Sequence, residues 1–550
     1  MKHSYRLITI GALIALLFML AACTSAKPAA NPDSSAGDPA PGQKASSSSS
    51  GQKEKVIYLG AVNPATTVGQ IKNPDADISI LPFNDTLLDV NDKFEFLPKL
   101  ANSIETKDNQ TYVIKLNPAA KWNDGQPFTT ADIEFTLNTA LHPLVDTHFN
   151  FNFIQGLNTA GKLDEGVASI SGLNVIDAQT IEIKTKTPIA PTLFKETFAT
   201  KAYFIPKHIL KDVPKDQINT HPYFQNPQVT IGPFKFSKFV KGSYIEAVRN
   251  ENYYLGKPKV DKIIIKQLPA ENLIAQLQTG EIHMNLVKGG IIPITDFEKV
   301  KSLTNIALTS SEPTEPAELY FNTKRFAEPK VRQAFAHALN RKLIVDQLFK
   351  GHADLLDGPV PIGHPNYNSS IKPYGYDPEK AKQLLKEANW DFKQPIRFLI
   401  PVGNKNREQA GEILAQNLTE IGLNVQVEKY DLPSLVLKVR KFDYDLAIFN
   451  RGFRIDPSAY FSLYKSDDSG NWLQFKNARA DELIDRGQIE LDPAKRKEIY
   501  DQLQVVLHDE LPSLSIYSEK RLLAVSKNVL LGKPLRLGMW YNVHEWDLKS

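Results

Sequence analysis

The chain has 550 residues, 42% of them hydrophobic and 23% charged, with 65 basic side chains against 62 acidic ones and a single cysteine. That length suits three or four domains or fewer large lobes, and five Trp, 19 Tyr and 28 Phe exclude wholesale disorder. The balanced charge carries no nucleic-acid footprint, and one thiol excludes an internal disulfide and any multi-cysteine zinc or iron–sulfur site.

Lys2, His3 and Arg6 precede an uncharged apolar run from Leu7 to Ala22, the layout of a secretory signal. As a helix that run rises about 24 Å, short of the roughly 30 Å of a bilayer core, so 1–22 reads as a signal peptide and not as a membrane span. The only cysteine follows directly, in Leu20-Ala21-Ala22-Cys23. This resembles the lipobox of bacterial lipoproteins, which implies cleavage before Cys23 and a diacylglycerol on its sulfur. Residues 23–54, rich in Ser, Pro and Ala and carrying serines 46 to 50 in one run, cannot bury enough apolar surface to order the chain and read as a flexible tether with a reach of about 30 Å.

From Val56 onward strand-like and helix-like stretches alternate without a fixed repeat, the pattern of α/β or α+β lobes. Val56–Leu59, Tyr112–Leu116 and Ile181–Lys184 read as strands. Thr129 and Asp132 form a capping-box pattern ahead of Ile133. Asp377-Pro378 followed by Ala381, Leu384, Leu385 and Ala388 gives an N-cap, a proline at the first helical position and an apolar stripe. The chain has no G-x-S-x-G, H-E-x-x-H, G-x-x-x-x-G-K-[ST] or G-x-G-x-x-G motif. None of its 11 histidines falls at the i, i+4 spacing that places two ligands on one helical face. The chemistry is that of a binder: no catalytic residue, no metal site and no cofactor are expected.

Four blocks carry a family resemblance. They are Lys121-Trp122-Asn123-Asp124-Gly125-Gln126-Pro127-Phe128; Gly232-Pro233-Phe234 continuing through Arg249-Asn250-Glu251-Asn252-Tyr253-Tyr254; Tyr320-Phe321-Asn322 with Val331-Arg332-Gln333-Ala334-Phe335 and Ala338-Leu339-Asn340-Arg341; and Asn477-Ala478-Arg479-Ala480-Asp481. In this order they resemble extracellular solute-binding proteins of the peptide/nickel type that serve ABC importers, most of all the oligopeptide-binding members. Two departures stand out. Asn340 replaces the family's usual Asp but still suits an N-cap, and His283 replaces an acid, which reads as a surface substitution.

The resemblance implies an α/β fold of two lobes, like type II periplasmic-binding proteins, with an extra subdomain inserted in the first. Lobe I would comprise 55–83, 191–312 and 510–550, the insert 84–190, and lobe II 320–507, with hinge crossings near 313–319 and 508–516. Ligand would lie between the lobes and be handed to the permease subunits of the importer. The protein is then expected to be a monomer on the extracytoplasmic face of a cell membrane, of the Gram-positive kind, attached through its lipid alone.

Site residues follow from the same resemblance. The family's amine-binding acid follows a strand ending in Gly-Trp; here Gly452-Phe453 stands in its place and Asp456 is the nearby acid. An inward Asp456 would pair with a peptide amine, whereas Arg454 or Arg451 at the cleft would favour a carboxylate-bearing or N-blocked ligand. Alternatively, Asp456 simply starts the helix whose first position is Pro457. Trp472, with Asn471 before it, is a candidate to cover ligand or to pack within its lobe, and Asn322 completes the set. Oligopeptide is the expected ligand. Metal chelates including nickel, small sugars and opine-like solutes remain open within the family, and a secreted lipoprotein hydrolase or a peptide-sensing surface lipoprotein outside it.

Overall fold

The computed structural model describes residues 54–62, 68–71, 82–91, 93–286, 290–310, 316–452, 454–531 and 539–549. The signal, Cys23 and all of the tether but Glu54 lie outside these residues, as do Phe453 and the first part of the crossing expected at 313–319.

Two large mixed sheets organise the chain. In the first, Val56–Ala61 lies at the centre, paired in parallel with Lys262–Gln267 on one side and Met284–Asn285 on the other. Tyr244–Arg249 and Phe234–Val240 extend one edge, and Leu522–Ser526 with Ile306–Ser310 the other. Its alternating side chains feed two cores. Ile57, Leu59, Ile263 and Ile265 pack beneath Trp540 and Trp546, while Leu273, Leu277 and Ile282 cover the opposite face. The second sheet runs in the order Ala353–Asp354, Ser513–Glu519, Pro316–Phe321, Leu446–Asn450, Pro395–Pro401, Asn424–Tyr430. Pro316–Phe321 is buried at every position because helices cover both faces, the condition under which a strand loses its polar alternation. A separate four-stranded sheet, Ala101–Thr106, Thr111–Leu116, Thr180–Lys184 and Leu173–Val175, packs its own core around Trp122, Phe128, Phe194 and Phe198.

The chain leaves the first sheet after Ser310 and enters the second at Pro316. The return crossing, expected near 508–516, falls elsewhere. There the structure has the end of helix Pro493–Glu510 and the start of strand Ser513–Glu519 of the second sheet, and the chain reaches the first sheet only through Lys520 and Arg521. Ser513–Glu519 is drawn into the second sheet because it is flanked by two strands, Pro316–Phe321 and Ala353–Asp354.

The sequence blocks turn out to be joints. Asp124-Gly125 makes a turn in which Gly125 has φ +94°, and Thr129 N–H donates to Asp132 at 3.0 Å at the start of the next helix. Asp377 and Asn340 cap their helices through Lys380 N–H at 2.9 Å and Leu343 N–H at 3.0 Å. Arg332, buried, donates to the carbonyls of Ala327 at 3.0 Å and Leu511 at 3.1 Å. His283 is not a bare surface position. Its Nδ1 accepts Tyr58 N–H at 3.1 Å, and burial, helped by Lys266, lowers its pKa.

Gly232 shows how tight one joint is. Its N–H donates to Phe83 at 2.7 Å, and an added Cβ would lie 2.3 Å from the Phe83 carbonyl carbon and 2.5 Å from the Pro82 oxygen. Both are backbone atoms that cannot swing aside. Gly232→Ala is expected to destabilise by about 1–3 kcal/mol, read as a lowered midpoint of urea unfolding; an unchanged midpoint contradicts this packing.

Candidate functional site

Pro191–Phe194 begins a helix that continues as one π-helical turn through Lys195–Ala199, a rare form often found at functional sites. Tyr112 fixes it from below: its ring stacks on Phe194 at 3.8 Å and its hydroxyl donates to the Ile189 carbonyl. Thr192 and Glu196, four residues apart, therefore share one face. They point at a segment of the second lobe, 454–458.

Asp456 sits at the centre of that segment, fully buried. Arg496, from helix Pro493–Glu510, grips its two oxygens at 2.8 Å each. Ser458 adds its N–H at 2.9 Å and its hydroxyl, and Thr192 adds its hydroxyl from the first lobe. Burial works against the charged carboxylate, but Arg496 and these donors outweigh it and hold Asp456 below its ordinary pKa. The guanidinium is equally occupied. It donates to the Gly487 carbonyl at 2.7 Å, to Thr192 at 2.8 Å and to Ser458 at 2.7 Å, and lies 5.2 Å over the Tyr500 ring. Gly487 makes room for that ring, since a Cβ there would meet Tyr500 at 2.3 Å.

Glu196 completes the contact by accepting Asp456 N–H at 2.6 Å. Burial raises its pKa, against the pull of that N–H, Lys201 and Arg454. Further contacts join the same sides: Asn109 donates to the Ile489 carbonyl at 3.0 Å, and the Phe94 and His364 rings lie 5.1 Å apart. Beside this junction a cleft of about 470 Å³ opens between 148–201 of the first lobe and 454–488 of the second. Phe149, Phe151 and Leu193 give it apolar walls, Asn150 and Gln488 amides, and Glu196, Lys201 and Arg454 charges.

The structure thus brings Arg454 to the cleft and places Asp456 behind its wall. The expected pairing of Asp456 with a ligand amine is displaced by the protein itself: three donors meet one oxygen and two meet the other. Nor does Asp456 merely start a helix: Ser458–Phe461 follows with Pro457 at the cap and not at the first position, and the Asp456 carboxylate also binds Arg496 and Thr192. Arg451 is likewise engaged. It pairs with buried Glu318 at 3.1 Å, donates to the Tyr460 carbonyl at 2.8 Å and packs over Tyr464 at 5.1 Å. Burial lifts the Glu318 carboxyl above its ordinary range despite that guanidinium.

Asn322, Asn471 and Trp472 do not line this cleft. They stand toward the Phe321 end of the second sheet, whereas Arg451 N–H meets Pro316 at its other end, about 17 Å away along the strand. Asn322 donates to the Tyr444 carbonyl at 2.9 Å, and Asn471 ties its loop through the Phe475 carbonyl at 2.7 Å. Trp472 carries the Arg440 guanidinium at 5.2 Å over its half-buried ring.

Thr192, Glu196, Ser458 and Arg496 escaped the sequence reading. Arg496 lies between Lys495 and Lys497, where it looks like part of a solvated helical face. Spacing offers no sign that its partner stands forty positions earlier. For Thr192 and Glu196, the i, i+4 pairing just after Pro191 was the available signal.

Comparison with known proteins gives a consistent picture. Residues 95–472 match the profile of bacterial extracellular solute-binding proteins, family 5. The oligopeptide-binding protein AppA of Bacillus subtilis is 25% identical over 574 aligned positions, covering 100% of this chain and 99% of its own. Among solved structures, the ABC transporter substrate-binding protein CtaP of Listeria monocytogenes superimposes with a TM-score of 0.78 at 24% identity, over 91% of this chain and 100% of that one. NikZ of Campylobacter jejuni, solved with Ni(L-His), gives a TM-score of 0.71 at 22% identity, over 90% of this chain and 100% of that one.

Two outcomes are expected of these side chains. Arg451→Ala strands Glu318 in the core and should cost roughly 3–5 kcal/mol in urea unfolding, with the apolar pair Glu318→Leu/Arg451→Met recovering most of the loss; a cost below 1 kcal/mol contradicts a tight pair. A carboxyl with a raised pKa stabilises the state that holds it below its ordinary pKa, about 4.3, and that contribution is lost as pH rises through the raised value. The lobe contact through Glu196 should therefore loosen with rising pH above that ordinary value. Proteolysis of the ligand-free protein across that range checks it, with Glu196→Gln removing the pH dependence.

Proposed function

We propose, for a chain that belongs to the bacterial extracellular solute-binding proteins of family 5, that it is the receptor of an ABC importer and captures oligopeptides between its two lobes for delivery to a membrane permease. The observation that carries the reading is the inter-lobe cleft. It combines apolar walls, amides and charges of both signs on opposing lobes, the chemistry that suits a zwitterionic chain of amides and not a purely apolar or purely ionic solute. A ligand touching both lobes favours the closed state. The kinship with AppA, an oligopeptide-binding protein by name, supports the same ligand class. Cys23, following the apolar run that ends at Ala22, would anchor the receptor by its lipid to the outer face of the membrane, with 24–54 as tether.

Native mass spectrometry of the full chain carrying Cys23→Ser should show co-purified peptides. A peptide mixture should stabilise the emptied protein, by about 2.7 kcal/mol when a ligand reaches a hundred times its Kd. Retention of a metal chelate or sugar with no peptide overturns the ligand class and leaves the family standing. For the anchor, metabolic labelling with palmitate should mark the wild-type protein and not the Cys23→Ser variant, which should shift from membrane to medium; equal partitioning of the two contradicts lipidation.

A further inference from the structure

The inter-lobe cleft carries more cation than anion, and its cations come from different lobes. Arg454 lines it from the second lobe and Lys201 from the first, over one buried carboxylate, Glu196. One oxygen of Glu196 is already engaged, accepting Asp456 N–H at 2.6 Å. The two cations outnumber that one acid, whose pKa burial raises against the pull of Lys201 and Arg454. Arg454 is exposed at the rim, but its backbone is fixed: its N–H donates to the Tyr460 hydroxyl at 2.8 Å, and Asp456 two residues later is locked by Arg496. The guanidinium therefore leaves a rigid base toward the cleft. Phe149, Phe151 and Leu193 supply an apolar wall beside it.

We propose that this cleft is a subsite for a carboxylate carried by the ligand, gripped by Arg454 from the second lobe and by Lys201 from the first. The inference rests on the peptide-receptor reading and specifies what that receptor selects. Guanidinium matches a carboxylate in a two-pronged geometry and ammonium adds a point charge. One anion held by both lobes draws them together, so recognition and closure become the same event. An acidic side chain or a peptide C-terminus supplies the same chemistry, with its aliphatic stem on the apolar wall.

Matched pentapeptides, Ala-Ala-Glu-Ala-Ala and its Gln counterpart, each with a free or amidated C-terminus, distinguish the two sources by calorimetry on the full chain carrying Cys23→Ser. Replacing the recognised carboxylate should weaken binding at least tenfold in this protein and less than twofold after Arg454→Gln. A Glu-to-Gln effect identifies a side-chain carboxylate, and an amidation effect the C-terminus. Changes below twofold for both replacements, or an Arg454→Gln loss equal for acidic and neutral peptides, overturn the subsite. Binding of no pentapeptide counts against the peptide reading, and the subsite is then tested with glutarate against glutaramide by thermal shift. Stabilisation by glutarate alone, lost in Arg454→Gln and reduced in Lys201→Gln, upholds it; no difference between the two compounds overturns it.

Discussion

Taking a carboxylate and a guanidinium out of water costs several kcal/mol per ion, and the pair survives only where nearly every lone pair and N–H finds a partner. Asp456 and Arg496 meet that condition with a doubly bonded contact, two hydroxyls, a backbone N–H and the Gly487 carbonyl. Much of the candidate site follows from it. The pair pins the short segment between Asn450, the last residue of a second-sheet strand, and Ser458, the first residue of a helix, and so decides where Arg454 stands. It also offers the opposite lobe something definite to hold, because Thr192 can enter the network only as both donor to Asp456 and acceptor from Arg496.

Around that junction the two lobes are matched in kind more than in extent. Among the described residues, the contacts there include the hydrogen bonds from Asn109 and Asp456 N–H and the aromatic pair of Phe94 with His364. A polar junction can part more readily than an apolar one, since exposed donors and acceptors regain water on opening while a large apolar seam would not release. Behind the junction, the Glu318–Arg451 pair joins a strand that enters the second sheet from the crossing to the strand that delivers 451–458. The strand leaving the crossing and the cleft wall are therefore braced by the same buried charges.

Local chemistry was legible in the residues. Helix starts at Thr129, Asn340 and Asp377 announced themselves because a cap and its partners lie within three positions, and the turn at Gly125 needed only its Asp-Gly pair. Family blocks pointed to the two-lobed fold for a similar reason: they are the joints where arginines, asparagines and glycines fasten elements together. Pairing across the chain was not legible. Asp456 looked like the receptor's free acid because nothing near it in sequence revealed Arg496 or Thr192, and Asn322, Asn471 and Trp472 looked like cleft residues because polar and aromatic side chains that tie loops have the same composition as those that touch ligands. Strand Ser513–Glu519 was misplaced across the crossing for a related reason, since which sheet claims a strand depends on distant neighbours.

The central claim is that the opposite lobe holds Asp456 through Thr192 and Glu196. Amide hydrogen exchange at Asp456, whose N–H donates to Glu196, tests it most directly. Thr192→Val and Glu196→Ala, both on the first lobe, should each speed exchange of that amide at least tenfold in the ligand-free protein while leaving the Ser458 amide, held within the second lobe by Asp456 itself, comparatively protected. Unchanged exchange at Asp456 in both variants would contradict the junction.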